Sequence, residues 1–404
     1  MFYSLGILAY GGMVRLASVW NTKARKWILG RKNFWSELPI IPKNKEVVWF
    51  HCASMGEYDQ GLPVMESFLD NFPNTYLLVT FFSPSGYEAV KDKSIADHTC
   101  YLPLDTKRNA KRFVEHFNPR KVFFVKYEFW LNYIDSCYRS DCKIYGLSAV
   151  FREDQRFFKW YGGRFTSMIE KFEHFFLQND KSARNLSIND YNNFTVTGDT
   201  RYDRVLIRAK YNEQNPTLEK WTKRKRNVLV IGSSWPKDEE ILYPLINDTE
   251  SSTAVILAPH EVNKEHIDMI TSKLNVPFQK YTNLMEGEVV ESTTEVIILD
   301  CIGVLANAYK YGTLAYVGGA FGKGLHNILE PASFGLPVVF GPNHKKFPEA
   351  QEFIDAKIGK SIDDEDSCSL ALNVFAQDSK SEKKVLDFMK EKSGATSKVI
   401  SYFQ

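Results

Sequence analysis

The residues best suited to chemistry lie in a glycine-rich stretch, Gly318 to Ala332, which reads G-G-A-F-G-K-G-L-H-N-I-L-E-P-A. It follows an apolar run, Leu314 to Val317, that predicts a buried strand, and a helix is expected over Glu330 to Phe334. Glycines let backbone N–H groups approach a ligand closely, and a helix N-terminus favours an anion. A glutamate one turn into the helix can accept both hydroxyls of a ribose. The pattern suits a nucleotide-sugar donor, with candidate binding residues Gly322, Gly324, His326, Asn327 and Glu330.

Other readings of this loop are weaker. The residue after Lys323 is Gly324 rather than Ser or Thr, so the stretch is not a P-loop, and it lacks the G-x-G-x-x-G spacing of the dinucleotide fingerprint. A tight turn whose glycines only permit packing remains an alternative. The His-Asn-x-x-Glu set argues against that alternative, because a purely structural turn does not need three polar side chains.

An acid also follows the first predicted strand, Glu46 to His51. The chain continues as C-A-S-M-G-E, ending at Glu57, and a helix is expected to begin near Gln60. A carboxylate at such a turn can take a proton from an attacking hydroxyl, and the turn around Ser54 and Gly56 could hold an anion. Glu57 could equally serve as a helix-capping acid, since both roles need the same position.

A second acid, Glu128, follows the strand candidate Lys121 to Val125 in the sequence Y-E-F-W. Carboxylates from two neighbouring loops could divide acid–base and orienting roles. Alternatively, Glu128 pairs with a basic neighbour such as Lys126 or Arg152. Arg152 and Arg156 follow a further strand candidate and offer cations to an anionic substrate.

Three more candidates follow strands in the second half of the chain. Ser233 and Ser234 come after the strand Asn227 to Ile231, where hydroxyls and N–H groups could bind a phosphate or carboxylate. His260 follows the strand Ala254 to Ala258 and could contact the phosphate, or be an ordinary loop histidine. No cluster has recognisable metal spacing, so we expect neither a metal nor a cofactor.

The elements that must position these residues alternate between strand and helix, which predicts an α/β protein with parallel sheets. We expect an N-terminal domain over 33–200, a charged linker over 201–226, a C-terminal domain over 227–380 and a closing helical segment over 381–404. Ligand loops lie at the carboxyl ends of parallel strands, so a substrate cleft between the domains is expected. The other strand candidates are Tyr76–Phe81, Lys143–Leu147, Phe175–Gln178, Thr195–Thr197, Glu295–Leu299 and Val338–Phe340.

Composition limits the function classes. The chain has 404 residues and a net charge of +2, which argues against a bulk electrostatic nucleic-acid binder. The basic run over 223–226 is better explained as a solvated linker. The chain has 6 cysteines, none in C-x-x-C spacing, which indicates a reducing compartment and neither a disulfide framework nor a zinc site.

The N-terminal segment, residues 1–32, differs from the rest of the chain. Met1 to Trp20 is mostly apolar with Arg15 as its only charge, so it fits neither a signal peptide nor an uninterrupted spanning helix. We expect a helix at the membrane surface, although an amphipathic helix packed on the protein would have the same pattern. The basic residues expected to meet anionic headgroups are Lys23, Arg25, Lys26, Arg31 and Lys32.

Taken in order, the motifs resemble those of the 3-deoxy-D-manno-oct-2-ulosonic acid (Kdo) transferases of Gram-negative bacteria. The resemblance implies a GT-B fold of two Rossmann-like domains, a CMP-Kdo donor, a lipid A precursor as acceptor and a position at the cytoplasmic face of the inner membrane. It also implies Glu57 as general base, Glu128 as a second important acid, and CMP contacts from Asn327 and Glu330. The matching motifs are H-C-A-S-M-G-E at 51–57, Y-E-F-W at 127–130, V-T-G-D-T-R-Y-D at 196–203, G-S-S at 232–234, P-H-E at 259–261 and the glycine-rich stretch at 318–332.

The chain departs from the family pattern at two places. Pro259-His260 stands where the family has P-R-H, and residues 148–154 replace the family's N-A-R-x-S-x-R stretch, so Arg152 or Arg156 could substitute for displaced arginines. The resemblance implies an inverting transfer in which Glu57 deprotonates the 6′-hydroxyl of the acceptor. The rival functions are a nucleotide-sugar epimerase, another GT-B glycosyltransferase, and a sugar- or nucleotide-binding protein without turnover.

Overall fold

The computed structural model describes residues 2–126, 128–155, 163–223, 225–248, 253–322 and 324–404. Tyr127, Arg156, Arg224 and Lys323 therefore lie outside the described residues. Contacts divide the chain into two units, Met1–Arg204 with Lys392–Gln404, and Val205–Glu391. The boundary falls inside the charged stretch 201–226, which contains helices α9 (Thr200–Lys210) and α10 (Pro216–Thr222).

The first unit is built on a seven-stranded sheet in the order β3-β2-β1-β4-β5-β6-β7. Every neighbouring pair is parallel. The strands are β1 (Glu46–Cys52), β2 (Thr75–Phe81), β3 (His98–Tyr101), β4 (Lys121–Val125), β5 (Lys143–Ala149), β6 (His174–Leu177) and β7 (Phe194–Val196). The helices are α1 (Phe2–Ala17), α2 (Thr22–Leu29), α3 (Met55–Asn71), α4 (Pro84–Val90), α5 (Lys107–Phe117), α6 (Leu131–Arg139), α7 (Gly163–Ile169), α8 (Asp180–Ser187) and α19 (Ala395–Ser401).

The second unit has its own seven-stranded sheet, in the order β10-β11-β9-β8-β12-β13-β14. It too is parallel throughout. The strands are β8 (Asn227–Ser234), β9 (Thr253–Pro259), β10 (Phe278–Lys280), β11 (Val296–Ile298), β12 (Leu314–Val317), β13 (Val338–Phe340) and β14 (Gly359–Ser361). The helices are α11 (Pro236–Ile246), α12 (Lys264–Lys273), α13 (Tyr281–Met285), α14 (Leu305–Ala308), α15 (Leu329–Ala332), α16 (Pro348–Asp355), α17 (Glu365–Gln377) and α18 (Ser381–Lys392).

Both faces of the first sheet are buried. Along β1, Trp49 packs into one hydrophobic cluster, with Phe113 and Phe124, whereas its neighbour Phe50 packs into another, with Phe123. Successive side chains of a strand point to opposite faces, so one apolar strand contributes to both cores. The near-continuous apolar composition of the central strands follows from this burial.

Only Lys392–Gln404 of the closing segment belongs to the first unit, whereas 381–391 belong to the second. Asp203 accepts hydrogen bonds from the backbone N–H groups of Gly394 and Thr396, each at 2.6 Å, and so caps the start of α19. Phe403 then packs edge-on against Phe68 at 5.4 Å and Phe123 at 5.6 Å between ring centroids. These contacts anchor the last residues of the chain to the first sheet.

Helix α1 packs on the first unit along one side only. The Tyr3 hydroxyl donates to the buried Asp105 carboxylate at 2.6 Å, and Gly11 lies against Leu104. On the other side, Leu5, Met13 and Leu16 are each more than half exposed, at 65%, 61% and 68%. The helix therefore combines a packed face with an exposed apolar face. Over the described part of the chain, no helix is both long and apolar enough to cross a membrane.

Arg31 does not behave like the other basic residues near the N-terminus. Its guanidinium lies 4.0 Å from the Trp27 ring and 4.6 Å from the Tyr101 ring, and it donates to the carbonyl oxygens of Leu102, Trp27 and Phe82. The expectation that Arg31 faces lipid headgroups is wrong, because its donors are already bound within the protein. Lys23, Arg25, Lys26 and Lys32 are exposed.

Candidate active site

Glu57 and Glu128 lie at the carboxyl ends of two adjacent strands. The chain leaves β1 toward β2 and β3 on one side and later returns to β4 on the other, so the strand order reverses between β1 and β4. Open parallel sheets bind ligands outside the carboxyl ends of strands at such a reversal. The tertiary structure therefore places both acids where this fold binds substrates.

Glu57 occupies the first turn of α3, which begins at Met55 rather than near Gln60 as expected. Its Oε2 accepts the backbone N–H of Ser54 at 2.8 Å and the Ser54 hydroxyl at 3.1 Å, which is a capping box. Burial, followed by the negative charge of Glu128, raises the pKa of Glu57 to about 7, although the bonds from Ser54 oppose the rise. A carboxylate with this pKa can accept a proton near neutral pH.

Glu128 follows β4 through a left-handed turn at Lys126, whose φ is 68°. Its Oε2 accepts the indole N–H of Trp130 at 2.7 Å and lies 3.7 Å from Nε2 of His51. The contacts of Oε2 are therefore with Trp130 and His51, and not with Lys126 or Arg152, the partners expected as the alternative.

The other candidates of the first unit have different surroundings. Ser54 is half-buried as the N-cap of α3, and Gly56 is exposed in its first turn. Arg152 lies in the loop after β5, where its Nε is 3.6 Å from the exposed carboxylate of Asp154. Ser54 is thus hydrogen-bonded directly to Glu57.

In the second unit the strand order reverses between β8 and β12, and the glycine-rich stretch follows β12. The buried carboxylate of Asp238 accepts the backbone N–H groups of Trp235 and Gly319 at 2.9 Å and the Tyr316 hydroxyl at 2.8 Å. A Cβ at Gly318 would lie 2.5 Å from the Ser233 carbonyl oxygen. The end of β8 and the loop after β12 therefore pack closely. No side chain fits at Gly318, and the Asp238 carboxylate binds both segments.

Three rings stack next to this loop. The His260 ring lies 4.4 Å from Trp235 and 4.6 Å from His326, measured between centroids. Trp235 also donates its indole N–H to Nε2 of His326 at 3.1 Å. Burial, and next the proximity of His260, lower the pKa of His326, which favours the neutral imidazole. With Nε2 accepting, its proton lies on Nδ1, which can donate a hydrogen bond.

Asn327 and Glu330 lie at the start of α15. Asn327 accepts the backbone N–H of Leu329 at 3.0 Å, and its amide lies 3.4 Å from Oε1 of Glu330. Arg208 approaches the same oxygen to 3.7 Å. Glu330 is therefore a partly exposed acid at the beginning of the helix.

β8 extends beyond the expected end at Ile231, so the two serines lie in its last residues, and they have separate environments. The Ser234 hydroxyl is buried and donates to Glu239 at 2.8 Å, while the other oxygen of Glu239 is 3.0 Å from Nε2 of His266. Ser233 is half-buried with a left-handed φ of 54°. In this conformation the Ser234 side chain supports α11, and the backbone of Ser233 is the part that borders the glycine-rich loop.

The two glycines predicted to bind the donor are conformationally distinct. Gly324 has a φ of 121°, which side-chain-bearing residues rarely adopt, and its N–H donates to Gly319. Gly322 has open space where a Cβ would be. The turn thus requires glycine at 324, whereas a glycine at 322 leaves room beside the loop.

Sequence reasoning missed several residues that the structure brings to these sites. Asp238 lies in the first turn of α11 and Arg208 in the charged stretch 201–226, and neither position alone indicated a site residue. His51 begins the motif at 51–57 and Trp235 follows the motif at 232–234, but neither was singled out as a candidate. Within the described residues, no group of three or more His, Cys, Asp or Glu side chains is arranged to hold a metal ion.

Comparison with known proteins shows the family of the chain. Residues 29–204 match the family model described as 3-deoxy-D-manno-octulosonic-acid transferase. A 3-deoxy-D-manno-octulosonic acid transferase of Chlamydophila psittaci is 30% identical over 323 residues, which cover 76% of this chain and 71% of that protein. The chain belongs to the Kdo transferase family. A 3-deoxy-D-manno-octulosonic acid transferase of Aquifex aeolicus is 29% identical, over 77% of this chain and 80% of its own.

Solved structures support the fold of this Kdo transferase family member. The UDP-GlcNAc 2-epimerase of Neisseria meningitidis matches with a TM-score of 0.63 at 14% identity, covering 89% of this chain and 98% of that one. The calicheamicin glycosyltransferase CalG4 matches with a TM-score of 0.55 at 12% identity, covering 89% and 98%. The predicted GT-B fold class is confirmed. At this identity the likeness concerns architecture, since one fold hosts many reactions.

Proposed function

We propose that this glycosyltransferase moves Kdo from CMP-Kdo to the 6′-hydroxyl of a lipid A precursor, with inversion, at the cytoplasmic face of the inner membrane. The observation that carries the proposal is Glu57, a carboxylate with a pKa of about 7 beside Glu128 at the strand reversal of a Kdo transferase family member. The resemblance of the motifs to those of the family supplies the donor and acceptor.

In the proposed step, the acceptor hydroxyl gives its proton to the Glu57 carboxylate as its oxygen attacks the anomeric carbon of Kdo. The new carbon–oxygen bond forms while the bond from that carbon to the phosphate oxygen breaks, and CMP departs with the bonding electrons. Glu57 uses Oε2 in its capping box, and no hydrogen bond among the described residues reaches Oε1. Oε1 is therefore the oxygen available to the proton.

The second unit supplies the groups proposed to bind CMP. Glu330 would accept the ribose hydroxyls, Asn327 would hold Glu330 in place, and the Nδ1–H of His326 would donate to an anionic oxygen of the donor. Backbone N–H groups around Gly322 and Gly324 would approach the phosphate closely. Arg208 lies near Glu330 and adds a cation that could partly offset the charge of the departing CMP.

The lipid part of the acceptor would meet the N-terminal helices. The exposed apolar face of α1, with Leu5, Met13 and Leu16, suits the headgroup–acyl boundary of a membrane. A groove of about 580 Å³ lies beside this face and is lined by both apolar and basic side chains, including Leu8, Trp35, Arg15 and Lys32. Such a lining can accommodate an amphiphile with an acidic headgroup.

The test is incubation of the full-length protein with CMP-Kdo and a lipid A precursor, followed by mass spectrometry of the lipid. We expect a mass increase of one or more Kdo units and release of CMP that depends on the acceptor. Conversion of a nucleotide sugar without any acceptor would instead indicate an epimerase. Binding of CMP without turnover under any acceptor condition would indicate a binding protein and contradict the proposal.

A further inference from the structure

His51, at the end of β1, is a completely buried polar side chain directly behind Glu128. Its ring contacts the edges of the Phe124 and Trp130 rings, at centroid distances of 6.0 Å and 5.9 Å. Among the described residues, its Nε2 has no hydrogen-bond partner, although the atom lies 3.7 Å from Oε2 of Glu128. A buried polar nitrogen without a partner is destabilising, so its presence here calls for an explanation.

The hydrogen bonds on the other side of the ring indicate where its proton lies. The Trp49 indole N–H donates to the Thr80 hydroxyl oxygen at 2.8 Å, and the same oxygen is 2.8 Å from Nδ1 of His51. In the tautomer with its proton on Nε2, the His51 ring has a free lone pair on Nδ1, and the Thr80 hydroxyl can donate its proton to that atom. This assignment satisfies Trp49 and Thr80 together, and it directs an N–H at Glu128.

We propose that His51 is a positioning residue: its Nε2–H and the indole N–H of Trp130 together hold the Glu128 carboxylate beside Glu57 during the reaction. The inference rests on the proposed function and extends it to a residue that does not touch the substrate. At 3.7 Å the contact is longer than a hydrogen bond, and we infer that it shortens when substrates bind, as contacts in unliganded sites commonly do.

The charged surroundings of this pair define what His51 can influence. The charges of Glu57, Glu128 and Asp59 all act on the thiol of Cys52, the residue after His51, and those of Glu128 and Lys126 act on Glu57. Thr80 of β2 and Phe124 of β4 are uncharged. Since Glu128 acts on Glu57 through its charge, a Glu128 carboxylate that moves away would let the pKa of Glu57 fall.

Three substitutions at two positions test the proposal in the full-length enzyme, with CMP-Kdo and a lipid A precursor as substrates. His51→Phe keeps an aromatic ring but removes both nitrogens, His51→Gln can place a donor near the position of Nε2, and Thr80→Val removes the hydroxyl that orients the ring. We expect His51→Phe to lower kcat by about 10- to 100-fold, the scale of a misplaced catalytic group, with little change in KM for CMP-Kdo. His51→Gln should recover most of this loss.

The pH profile distinguishes positioning from a merely structural role. In His51→Phe and Thr80→Val, the acidic limb of the kcat profile should move to lower pH, because Glu57 loses the nearby charge. In a Glu128→Gln background, His51→Phe should cause little further loss, since the two changes act through one carboxylate. His98→Phe, a change to a half-buried histidine at the edge strand β3, is the matched control and should leave kcat and the profile unchanged.

Each outcome decides a separate point. A His51→Phe enzyme with wild-type kcat and an unmoved acidic limb overturns the role of His51. If His51→Phe does not fold, the other two variants test the role of His51. That role is also overturned if Thr80→Val keeps the wild-type pH profile while a folded His51→Gln enzyme has strongly reduced activity. A wild-type protein without any Kdo transfer refutes the proposed function instead.

Discussion

The carboxylate of Asp238 accepts the backbone N–H of Gly319 at 2.9 Å and thereby ties the loop after β8 to the loop after β12. The same oxygen accepts the N–H of Trp235, and the other oxygen accepts the Tyr316 hydroxyl. The two backbone N–H groups can only donate, and the Tyr316 hydroxyl also donates in this arrangement. One side chain thus accepts three hydrogen bonds, and the conformation of the glycine-rich loop depends on it.

Asp238→Asn should destabilise the protein and weaken CMP binding together. The amide oxygen can keep the two N–H bonds, but its NH₂ then faces the Tyr316 hydroxyl. The buried hydroxyl proton loses its acceptor, at a cost of about 1–3 kcal/mol. Chemical denaturation and calorimetric titration with CMP measure the two effects. Asp363→Asn, at an exposed position of the same unit, is the control and should stay within about 0.5 kcal/mol of wild type. Wild-type stability in Asp238→Asn would contradict the tethering role.

Glu57→Gln should reduce Kdo transfer by about 10²-fold or more, because glutamine can keep the capping contact with Ser54 but cannot accept a proton. CMP affinity should change little, since the proposed CMP contacts lie in the second unit. Initial rates and calorimetry on the same preparation separate the two effects. Turnover close to wild type would remove Glu57 from the mechanism.

The pH dependence of transfer follows from the raised pKa of Glu57, about 7. The base must be ionised, so kcat should fall as pH drops below about 7 and level off above it. Burial and the charge of Glu128 raise this pKa, and Glu128→Gln removes the second cause. Its remaining activity should therefore show an acidic limb at lower pH. A limb that stays at the wild-type pH would mean that another group controls the profile.

Glu330→Ala should weaken CMP binding by about 1–3 kcal/mol, because the ribose hydroxyls would lose their acceptor. Calorimetry with CMP measures the change, and Glu286→Ala, an exposed acid of the same unit, is the control. Repeating the titration with EDTA should leave the affinity unchanged, as expected for a site without metal ligands. Equal affinities of Glu330→Ala and wild type would contradict the ribose assignment.

Membrane binding should depend on two separable features of the N-terminal helices. Replacing Lys23, Arg25, Lys26 and Lys32 by glutamine should weaken binding to anionic vesicles far more than to neutral ones, since each basic residue contributes about 1 kcal/mol near an anionic surface. Arg31 is left unchanged because it packs inside the protein. Replacing the exposed Leu5, Met13 and Leu16 by glutamine should weaken binding to both kinds of vesicle.

Vesicle co-sedimentation at low and high salt measures these effects, and salt should reduce only the basic contribution. The apolar substitutions are preferable to deleting the helix, because the packed face of α1 covers Trp27 and Phe82 through Tyr10. Wild-type protein that remains in the supernatant with anionic vesicles at low salt would show that the helix has only a structural role.

The sequence by itself determined the α/β class and the central strands. Lys121–Val125, Leu314–Val317 and Val338–Phe340 were predicted with the bounds that the structure shows, because strands buried on both faces are apolar throughout. The short edge strands β3, β10 and β14 were not predicted. An edge strand is paired on one side only and can be polar, as in Gly359–Ser361, so its composition resembles a loop.

Tertiary structure decided which of the recognised residues act together. Strand order brings Glu57 next to Glu128 although the two acids are 71 positions apart in the sequence, and no local pattern encodes that order. Burial then raises the pKa of Glu57, and it places Arg31 inside the protein and away from the exposed basic residues. Burial also places Asp238 against the glycine-rich loop and His51 behind Glu128. Local composition specifies strands and turns, whereas strand order, burial and charge proximity arise from contacts between distant segments, which exist only once the chain has folded.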